Sequence, residues 1–471
     1  MARKMKDSGI EWIGEIPEGW ELTKVKRIFD IGRGRVISQQ ELTSVGYPVY
    51  SSQTKNNGCL GYISTYDFDK SQLTWTTDGV NAGTVFLREG KHNCTNVCGT
   101  LAPKNDTNDL RYLKYALEYI AFYHKRADIN GFKIMNNEMA EIELLLPPLF
   151  EQQNIANYLD FKCSQTQSIL EQSLFSIEEY KKLKQAVITQ AVTKGVRGKR
   201  EMKDSGVEWI GEIPAEWSIT KIKSGVTKIG SGKTPSGGAE TYTDSGVIFL
   251  RSQNVYDCTL NLESPTYISP EVDATMKSTR VLPDDVLLNI TGGSIGRCSI
   301  VPKTLGLANV NQHVCIIRTN PLIFLPKYMQ YFWVSTLGHL AIDLYQTGGN
   351  REGMSADAIR NTPIPYAPLN EQKEIADYLD AKCAEIDGLI AKKEQLVKEL
   401  ESYKKEDLQE LAKQLGVDAE GTKKEIATRC AAVEVDIPDE SELTEEDKRA
   451  AAEAAAEAAA KAEEERKAAE A

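Results

Sequence analysis

The 471-residue chain has few of the features that mark membrane, secreted or metal-stabilised proteins. It has only four histidines, and its nine cysteines are scattered without a CxxC pair, so neither a zinc ribbon nor a disulfide framework is indicated. Cys94 and Cys98, with His92 nearby, could in principle share a metal, but no second ligand pair follows at finger spacing. No window approaches the roughly 20 apolar residues of a membrane helix, and residues 1–20 lack the apolar stretch of a signal peptide. We therefore expect a cytoplasmic protein with reduced thiols and no membrane segment.

An excess of basic residues, which is common in nucleic-acid-binding proteins, is also missing. The formal net charge is −12, from 56 Lys and Arg against 68 Asp and Glu. Residues 405–471 hold 10 of the basic and 20 of the acidic side chains, so the other 404 residues are nearly neutral, with 46 basic and 48 acidic. The acidity belongs to the tail, and a near-neutral body can still bind DNA if acidic outer faces and basic loops are segregated.

What the chain does contain is an internal repeat. Residues 5–20 read MKDSGIEWIGEIPEGW and residues 202–217 read MKDSGVEWIGEIPAEW, an offset of 197. A second pair follows at an offset of 220, PLFEQQNIANYLDFKC at 148–163 and PLNEQKEIADYLDAKC at 368–383. A weaker echo relates Tyr112–Tyr115 to Tyr328–Tyr331, and the segments between these landmarks otherwise share little. The order is a start motif, a variable globule and an EQ motif with a helix, and then the same series again.

The two EQ motifs, Glu151-Gln152 and Glu371-Gln372, are predicted to open long helices. Prolines precede them, and a glutamate in the first turn favours the positive end of the helix dipole. Apolar residues then recur at three- and four-residue steps, so each helix has one apolar stripe. The first helix is predicted from about Glu151 to Val192, roughly 60 Å at 1.5 Å per residue. Each stripe needs a long partner, which favours a two-stranded antiparallel coiled coil; the alternative is two ordinary helices that pack on their own globules.

The variable globules are predicted to be mixed and rich in strands, each with one apolar helix. The β-rich runs, punctuated by Gly, Asn, Ser and Asp turns, are Gln72–Thr77, Gly83–Arg88, Val247–Arg251, Val286–Thr291 and Val314–Thr319. The apolar helices are predicted at Asp109–His124 and Pro326–Leu344. The fold class that follows is α+β, with two strand-rich domains separated by two long antiparallel helices and followed by a helical C-terminal tail.

Five segments carry a family resemblance: the start motif DSGIEWIGEIPEGW, GKTPSGG at 232–238, NITGGSIG, NVNQHVCII and the closing PLNEQKEIADYLD. Together they resemble the specificity subunit of type I restriction-modification systems. The resemblance covers roughly residues 5–404. It implies two target-recognition domains that each read one half of a split double-stranded DNA sequence, spaced by the two helices, which also dock methyltransferase subunits.

The same resemblance assigns the chemistry to partner proteins. It implies two methyltransferase (modification) subunits and restriction/translocase subunits, which carry out adenine methylation and ATP-dependent cleavage. S-adenosylmethionine, ATP and magnesium would be bound by those partners, with no cofactor in this chain.

No catalytic constellation accompanies this resemblance in the sequence. A P-loop at Gly230–Thr234 fails because GxxxxGKT needs glycine where Thr227 stands. A nuclease pattern can be forced onto Pro438-Asp439 and Glu446–Lys448, but these residues lie in an acidic, Ala-rich stretch without strands. The sequence therefore predicts a non-catalytic recognition subunit. The alternative is a scaffold, or a decayed orphan subunit, that assembles but no longer reads DNA.

The landmarks divide the chain into six segments. We predict a first target-recognition domain at 1–146, a first spacer helix at 147–200, a second target-recognition domain at 201–366 and a second spacer helix at 367–404. Residues 405–437 depart from the family pattern and resemble a SAP-type helix–extension–helix module, either a DNA-binding module or a small cap for protein contact. Residues 438–471 form an acidic, Ala-rich tail whose i,i+4 charges favour a solvated helix.

Loops rich in Arg, Lys, Gln and Asn supply the candidate DNA contacts, because these side chains can form bidentate hydrogen bonds with base edges. The candidates in the first domain are Arg33, Arg35, Gln53, Lys55, Asn56, Asn57 and Lys133. Those in the second domain are Lys233, Arg251, Gln253, Asn254, Asn350 and Arg351. The alternative for each of them is a solvated turn residue.

Overall fold

The structure, a computed structural model, describes residues 4–9, 14–129, 131–346 and 353–414, with helix backbone alone from residue 401. The described chain forms two compact units. The first unit runs to Leu174 and takes up the chain again from Gln395, and the second runs from Phe175 to Glu394. These units divide each long helix internally, so the six segments stay a prediction. The acidic tail and most of the SAP-like module lie outside the described residues.

The first unit is built mainly from short strands. Its strands are β1 (Met5–Asp7), β2 (Glu15–Pro17), β3 (Glu21–Lys24), β4 (Phe29–Arg33), β5 (Tyr47–Tyr50), β6 (Cys59–Ile63), β7 (Gln72–Thr76), β8 (Asp78–Gly79), β9 (Val85–Arg88), β10 (Asn93–Cys94), β11 (Cys98–Pro103), β12 (Arg126–Asp128), β13 (Gly131–Lys133) and β14 (Glu143–Leu146). Its helices are α1 (Val25–Ile28), α2 (Leu110–His124), α3 (Asn136–Glu141) and the first part of α4 (Leu149–Lys194), with 3-10 turns at Gln39–Glu41 and Lys55–Gly58.

The second unit has the same kind of composition. Its strands are β15 (Met202–Asp204), β16 (Glu212–Pro214), β17 (Ser218–Lys221), β18 (Val226–Ser231), β19 (Tyr242–Thr243), β20 (Val247–Leu250), β21 (Val255–Tyr256), β22 (Thr259–Leu260), β23 (Thr266–Ile268), β24 (Val286–Asn289), β25 (Cys298–Ile300), β26 (Ala308–Val310), β27 (Val314–Thr319) and β28 (Pro363–Tyr366). Its helices are α5 (Pro270–Thr275), α6 (Pro326–Val334), α7 (Thr336–Tyr345), α8 (Ala356–Asn361) and the first part of α9 (Leu369–Gln414). Its 3-10 turns are Ile222–Gly225, Gly238–Thr241, Ser252–Asn254, Lys277–Thr279 and Gly292–Ser294.

The two units share one strand topology although their sequences between the landmarks differ. The main sheet of the first unit has the order β4-β11-β7-β9, and that of the second has the order β18-β27-β24-β25, antiparallel throughout. A smaller sheet in each contains one parallel pair, β5 with β10 and β20 with β26. The start motifs form the hairpins β1–β2 and β15–β16. The strand-rich globules expected from the sequence are therefore two copies of one architecture.

The registers of the main sheets allow the units to be matched residue by residue. The β11–β7 ladder ends with Cys98 opposite Thr76, and the β27–β24 ladder ends with Val314 opposite Asn289. Cys98 therefore corresponds to Val314, and Thr76 corresponds to Asn289. Counting along the chain from these two correspondences assigns the neighbouring positions, and we call two residues that correspond in this way matched residues.

The core of each unit lies between its main sheet and its apolar helices. In the first unit Trp75 is fully buried, and it lies so close to Gly99 that a Cβ there would come within 2.3 Å of the indole ring. Any side chain at Gly99 would displace the tryptophan, so glycine is required by packing. The second unit buries Trp217, Trp333 and Phe324 in one cluster with residues of both long helices.

One predicted apolar helix is confirmed, and the other is wrong in its continuity. Helix α2 starts after Asp109, whose carboxylate accepts hydrogen bonds from the backbone of Arg111 and Tyr112. The predicted helix Pro326–Leu344 is instead two helices, α6 and α7, separated at Ser335. The Ser335 hydroxyl accepts from the backbone N–H of Gly338 and caps α7, which lets the chain change direction.

The predicted long helices are present and are antiparallel where their contacts are described. Helices α4 and α9 each have 46 residues, about 69 Å at the standard rise. Within the second unit, Lys184 of α4 forms an ion pair of 2.7 Å with Asp387 of α9, and Tyr180 lies against Lys393. Rising residue numbers on one helix meet falling numbers on the other. Helix α9 continues past the predicted end at 404 to Gln414.

Candidate nucleic-acid interface

The repeated motifs meet each other in both units. The indole Nε1 of Trp20 donates to Glu151 Oε2 at 2.6 Å, and that of Trp217 donates to Glu371 Oε2 at 2.9 Å. Each bond joins a start motif to the EQ motif that opens the following helix. The sequence predicted a helix-dipole role for these glutamates, and the structure adds their role as acceptors for the tryptophans.

The glutamines of the EQ motifs tie the apolar helices to the long helices. Gln152 Oε1 accepts from the backbone N–H of Asp109, and Gln372 Oε1 accepts from that of Leu325, at 3.0 and 2.9 Å. In each case the amide nitrogen donates to the backbone carbonyl just before the long helix, Pro147 or Ala367. The EQ motif is therefore a structural junction, which leaves reading of a ligand to other surfaces.

The weaker echo in the sequence belongs to the same junction. Tyr115 donates to Asp160 at 2.7 Å, and Tyr331 donates to Asp380 at 2.6 Å. Burial and the neighbouring carboxylate raise the pKa of both phenols well above the ordinary value. These tyrosines remain protonated donors that fix the apolar helix against the long helix.

The loops of each unit start from a glycine just after the first strand of the main sheet, β4 or β18. Gly34 follows β4, and a Cβ there would lie 2.0 Å from the carbonyl oxygen of Cys94. Its matched residue Gly232 follows β18, and a Cβ there would lie 2.0 Å from the carbonyl oxygen of Val310. Only glycine fits this close crossing of the two sheets, so the chain leaves both sheets at the same place in each unit.

A cation follows each of these glycines. The backbone N–H of Arg35 donates to Cys94 O, and that of its matched residue Lys233 donates to Val310 O, both at 3.1 Å. The Arg35 guanidinium is held by Asp67 at 3.0 Å and by Glu41 at 3.4 Å. The Lys233 side chain is exposed. Two candidates from the sequence therefore occupy one structural position, with the charge more neutralised in the first unit.

A Ser-Gln pair forms the next loop in both units. Ser52-Gln53 is matched by Ser252-Gln253, because the backbone N–H groups of Thr95 and Asn311 donate to Tyr50 O and Leu250 O, the carbonyls two residues before each serine. Gln53 is half-buried and its amide donates to Cys59 O, whereas Gln253 is exposed. The sequence placed both glutamines among the candidates, and the structure presents the second more openly.

The remaining candidates of the first unit surround these loops. Lys55, Asn56 and Asn57 are exposed on the 3-10 turn Lys55–Gly58. Arg33 donates to Asn136 Oδ1 at 3.2 Å, and Lys133 forms an ion pair of 3.0 Å with Asp128. The hydrogen bond from Lys133 lowers the pKa of the Asp128 carboxyl. Each side chain has a protein partner or a turn to anchor it.

The second unit gives a mixed result for its candidates. Asn254 is only 5% exposed, its Oδ1 accepts from the Arg251 backbone and its Nδ2 donates to Asn261 O at 3.0 Å. Because the oxygen and the nitrogen of its side-chain amide are both bonded inside the fold, we omit Asn254 from the proposed contacts. Arg251 is half-buried with its guanidinium 5.6 Å from the Tyr242 ring. Asn350 and Arg351 lie outside the described residues.

The structure adds a series of hydrogen-bonded side chains that were not among the candidates chosen from the sequence. Thr234 donates to Gln312 Oε1, and the Gln312 amide nitrogen lies 3.0 Å from His313 Nε2. Since an amide nitrogen can only donate, His313 Nε2 accepts, and Nδ1 carries the proton toward Thr291 Oγ1 at 2.6 Å. The NVNQHVCII segment was the available signal, although nothing in it indicated these partners.

The first unit has different side chains at the four matched positions. Val36, Asn96, Val97 and Asp78 stand where the second unit has Thr234, Gln312, His313 and Thr291. Val36 is 73% exposed and Asn96 is exposed, so this part of the first unit has no counterpart of the threonine-to-threonine chain. One frame therefore carries two chemically different surfaces.

Other kinds of site are not indicated in the described part of the chain. No group of three or more His, Cys, Asp or Glu side chains there is placed to hold a metal ion. None of the described helices is long and apolar enough to cross a membrane.

The described chain thus has two β-rich units of one topology, with loops of different polar chemistry, and each unit is joined to a long helix. Residues 17–179 and 214–399 match the family described as the type I restriction modification DNA specificity domain. The chain belongs to this family, that of the specificity subunits of type I restriction-modification systems.

Individual relatives agree with this membership. The chain is 45% identical over 141 residues to the N-terminal type I specificity subunit S.MpnORF289P of Mycoplasma pneumoniae, a match of 29% of this chain and 74% of that protein. It is 26% identical over 422 residues to the MjaX specificity subunit of Methanocaldococcus jannaschii, covering 83% and 92%. In further relatives from Mycoplasma pneumoniae, the matched segment covers 38% to 59% of the relative's length.

A solved structure supports the fold. The chain is similar, with a TM-score of 0.63 and 14% identity, to a chain from a study of complex assembly in the type I restriction-modification system. The match covers 85% of this chain and 98% of the other. The fold class predicted from the sequence is confirmed.

Proposed function

We propose that this specificity subunit reads a bipartite double-stranded DNA target, with the loops of each unit reading one half. The observation that carries this proposal is the pair of matched loop sets, which share glycines, turns and backbone bonds but differ in side chains. Two readers of two unlike half-sites need this combination, since a common frame presents side chains to a groove and the side chains select bases.

The proposed contacts are the exposed and half-buried polar side chains of these loops. A lysine or arginine can bond guanine and a glutamine or asparagine can bond adenine, and such a contact separates bases by about 1–3 kcal/mol. Lys233, Gln253 and Gln312 are the most open of these in the second unit. The proposed contacts of the first unit are Arg33, Arg35, Gln53, Lys55, Asn56, Asn57 and Lys133. Arg251, Asn350 and Arg351 complete the set as predictions.

The chemistry is assigned to partner subunits. We propose two methyltransferase subunits that methylate adenine and restriction subunits that translocate and cleave with ATP, with S-adenosylmethionine and magnesium bound there. The long helices α4 and α9 would separate the half-sites and dock the methyltransferases. A location in the cytoplasm and a non-catalytic role for this chain stay predictions.

Mapping methylated adenines tests the proposal. DNA is sequenced for methylation from cells that express this chain with the modification and restriction subunits of its system. A split motif is expected, and exchange of residues 23–146 for those of another family member should change one half alone. If both halves changed, assignment of one unit to one half would be wrong. An assembled complex that methylates no defined sequence would favour the scaffold alternative.

A further inference from the structure

Arg88 is a buried cation in the first unit. It ends β9, and its side chain is 1% exposed. Within the described residues the titratable groups that act on its charge include Tyr50, Cys94, Cys98 and His92, none of them a carboxylate. The guanidinium carbon instead lies 3.6 Å from the ring centre of Tyr50 and 4.3 Å from that of Phe86. A buried charge without a carboxylate is costly, so stability alone gives little reason to keep it.

The hydrogen bonds of Arg88 lead to the turn that carries three candidate contacts. Its Nε donates to Thr74 Oγ1 at 3.0 Å, and Nη1 donates to the backbone carbonyl of Asn57 at 2.7 Å. Asn56 and Asn57 both have left-handed backbone, with φ of 50° and 53°. Two successive residues in this sparsely populated region need support from the surrounding structure. Arg88 supplies that support from beneath the turn.

Gly58 makes this approach possible. It has a φ of +77°, and a Cβ at this position would lie 2.8 Å from Nη2 of Arg88. Nη2 itself is buried and has no acceptor among the described residues. The fit of turn and guanidinium therefore depends on both residues, because any side chain at Gly58 would push the turn away from Arg88.

The second unit shows that the fold does not need a cation here. The residue matched to Arg88 is Val301, which is 1% exposed. The turn Ser252–Asn254 is matched to Ser52–Thr54, and both are held alike: Asn289 Nδ2 donates to Ser252 O at 2.8 Å, and its matched residue Thr76 donates to Ser52 O at 3.4 Å. A valine is therefore compatible with the same sheet and the same Ser turn, so neither of these requires the buried cation of the first unit.

We propose that Arg88 is a positioning residue that sets the backbone of the turn Lys55–Gly58 and, through that turn, the base preference of one half of the target. The proposal deepens the proposed function, on which it rests, because it assumes that loops of the first unit read DNA. It assigns no contact with DNA to Arg88 itself.

Two variants of the full chain, in complex with its partner subunits, test this proposal. Arg88→Met removes the charge and both hydrogen bonds with a side chain of similar length. Arg88→Lys keeps the charge but lacks the planar guanidinium that donates to both Thr74 Oγ1 and Asn57 O. Glu89→Gln, at the exposed neighbouring position, is the control. We measure the methylated motif and the hydrogen exchange of the backbone amides of residues 55–59.

We expect Arg88→Met to assemble and to lose discrimination at least tenfold in one half-site, with the other half unchanged. Arg88→Lys should lose part of this discrimination, and Glu89→Gln should lose none of it. Amides of residues 55–59 should exchange at least tenfold faster in Arg88→Met, with those of β20 and β24 unaffected. A purely structural role would instead lower the yield of complex and weaken both halves alike.

Unchanged specificity of assembled Arg88→Met in both halves would overturn the proposal. If that variant fails to assemble, Arg88→Lys decides, and wild-type specificity in a folded Arg88→Lys with faster exchange at the turn also overturns it. If the wild-type complex reads no motif, the proposed function fails. The exchange comparison then still shows whether Arg88 positions the turn.

Discussion

At two matched loop positions, the first unit holds a polar side chain by its neighbours and the second unit leaves that side chain exposed. Arg35 is held by two carboxylates and Gln53 donates to a backbone carbonyl, whereas Lys233 and Gln253 are exposed at the same positions. The backbone frame is nevertheless the same in both units. Strand topology and loop chemistry therefore vary independently in this protein, because buried strands set the frame and the loops carry the differences.

The junctions to the long helices differ in a second way. Glu371 is fully buried and accepts from Trp217, while Glu151, which accepts from Trp20 in the same way, is half-buried. Because the same motif residue is more buried in the second unit, we expect its loss to cost more stability there. Substitutions at matched positions can measure these differences between the units.

The largest effect is expected from Glu371→Ala. It leaves the largely buried Arg200 guanidinium without its carboxylate and Trp217 without its acceptor, which should cost about 3–5 kcal/mol of unfolding free energy. Glu151→Ala should cost less, because this junction is half-buried and water can replace the lost carboxylate as an acceptor. Urea unfolding of the full chain measures both, with Glu371→Gln as a control that keeps an acceptor for Trp217. Equal costs at the two positions would contradict the difference between the junctions.

Gln253→Ala comes next, and it addresses the open loop. As a proposed base contact, its loss should reduce discrimination at one position of one half-site by about 1–3 kcal/mol. Gln53→Ala should change the other half-site less, because the Gln53 amide is already engaged by Cys59 O. The methylated motif of each variant complex is the measurement. A larger effect from Gln53 would show that the more open glutamine is not the stronger reader.

Thr291→Val should have a smaller and indirect effect. It removes the acceptor at the end of the hydrogen-bonded chain and frees the His313 ring to turn. We expect a loss of about 1 kcal/mol in discrimination, the value of one hydrogen bond, in the half-site read by the second unit. Val97→Ala at the position matched to His313 is the control and should leave the motif intact. Relaxation of both half-sites by Thr291→Val would speak against a local role.

The smallest effect concerns pH. His92 is buried, and burial lowers the pKa of its imidazole below the ordinary 6.5. The unfolded chain then binds a proton that the folded first unit does not, so stability falls as pH falls through 6.5 toward the folded pKa. The matched residue is Ala308, so the second unit lacks this dependence. Urea unfolding between pH 7.5 and about 5.5 should show it, and His92→Asn should remove it. An unchanged slope in His92→Asn would refute the assignment.

Much of the fold could be predicted from the sequence because its signals are local. The strands at Val314–Thr319 and Val286–Asn289 and the helix α2 follow from residue type and spacing over a few turns. The break at Ser335 was missed, since an apolar run continues through it and only the capping hydroxyl separates α6 from α7. The shared topology was also missed, because pleated strands tolerate many side chains that sequence comparison counts as different.

The candidate site was predictable in kind but not in detail. Arg35 with Lys233 and Gln53 with Gln253 were chosen as polar loop residues, and the structure shows that they are matched pairs. Asn254 was indistinguishable from its neighbour Gln253 in the sequence, yet one is buried and bonded and the other is exposed. Which of two adjacent polar side chains faces solvent depends on backbone direction in a tight turn, which residue type does not set.

The sequence by itself determined the internal repeat, the family and the two long helices, because motif identity and apolar periodicity are properties of neighbouring residues. Only the tertiary structure decided which repeated residues meet, as with Trp20 and Glu151, which lie 131 positions apart. It also decided that Arg88 supports a turn while its matched Val301 does not. Such pairings arise when distant segments pack closely and each buried polar group must find a partner, so they depend on the whole fold rather than on any one segment.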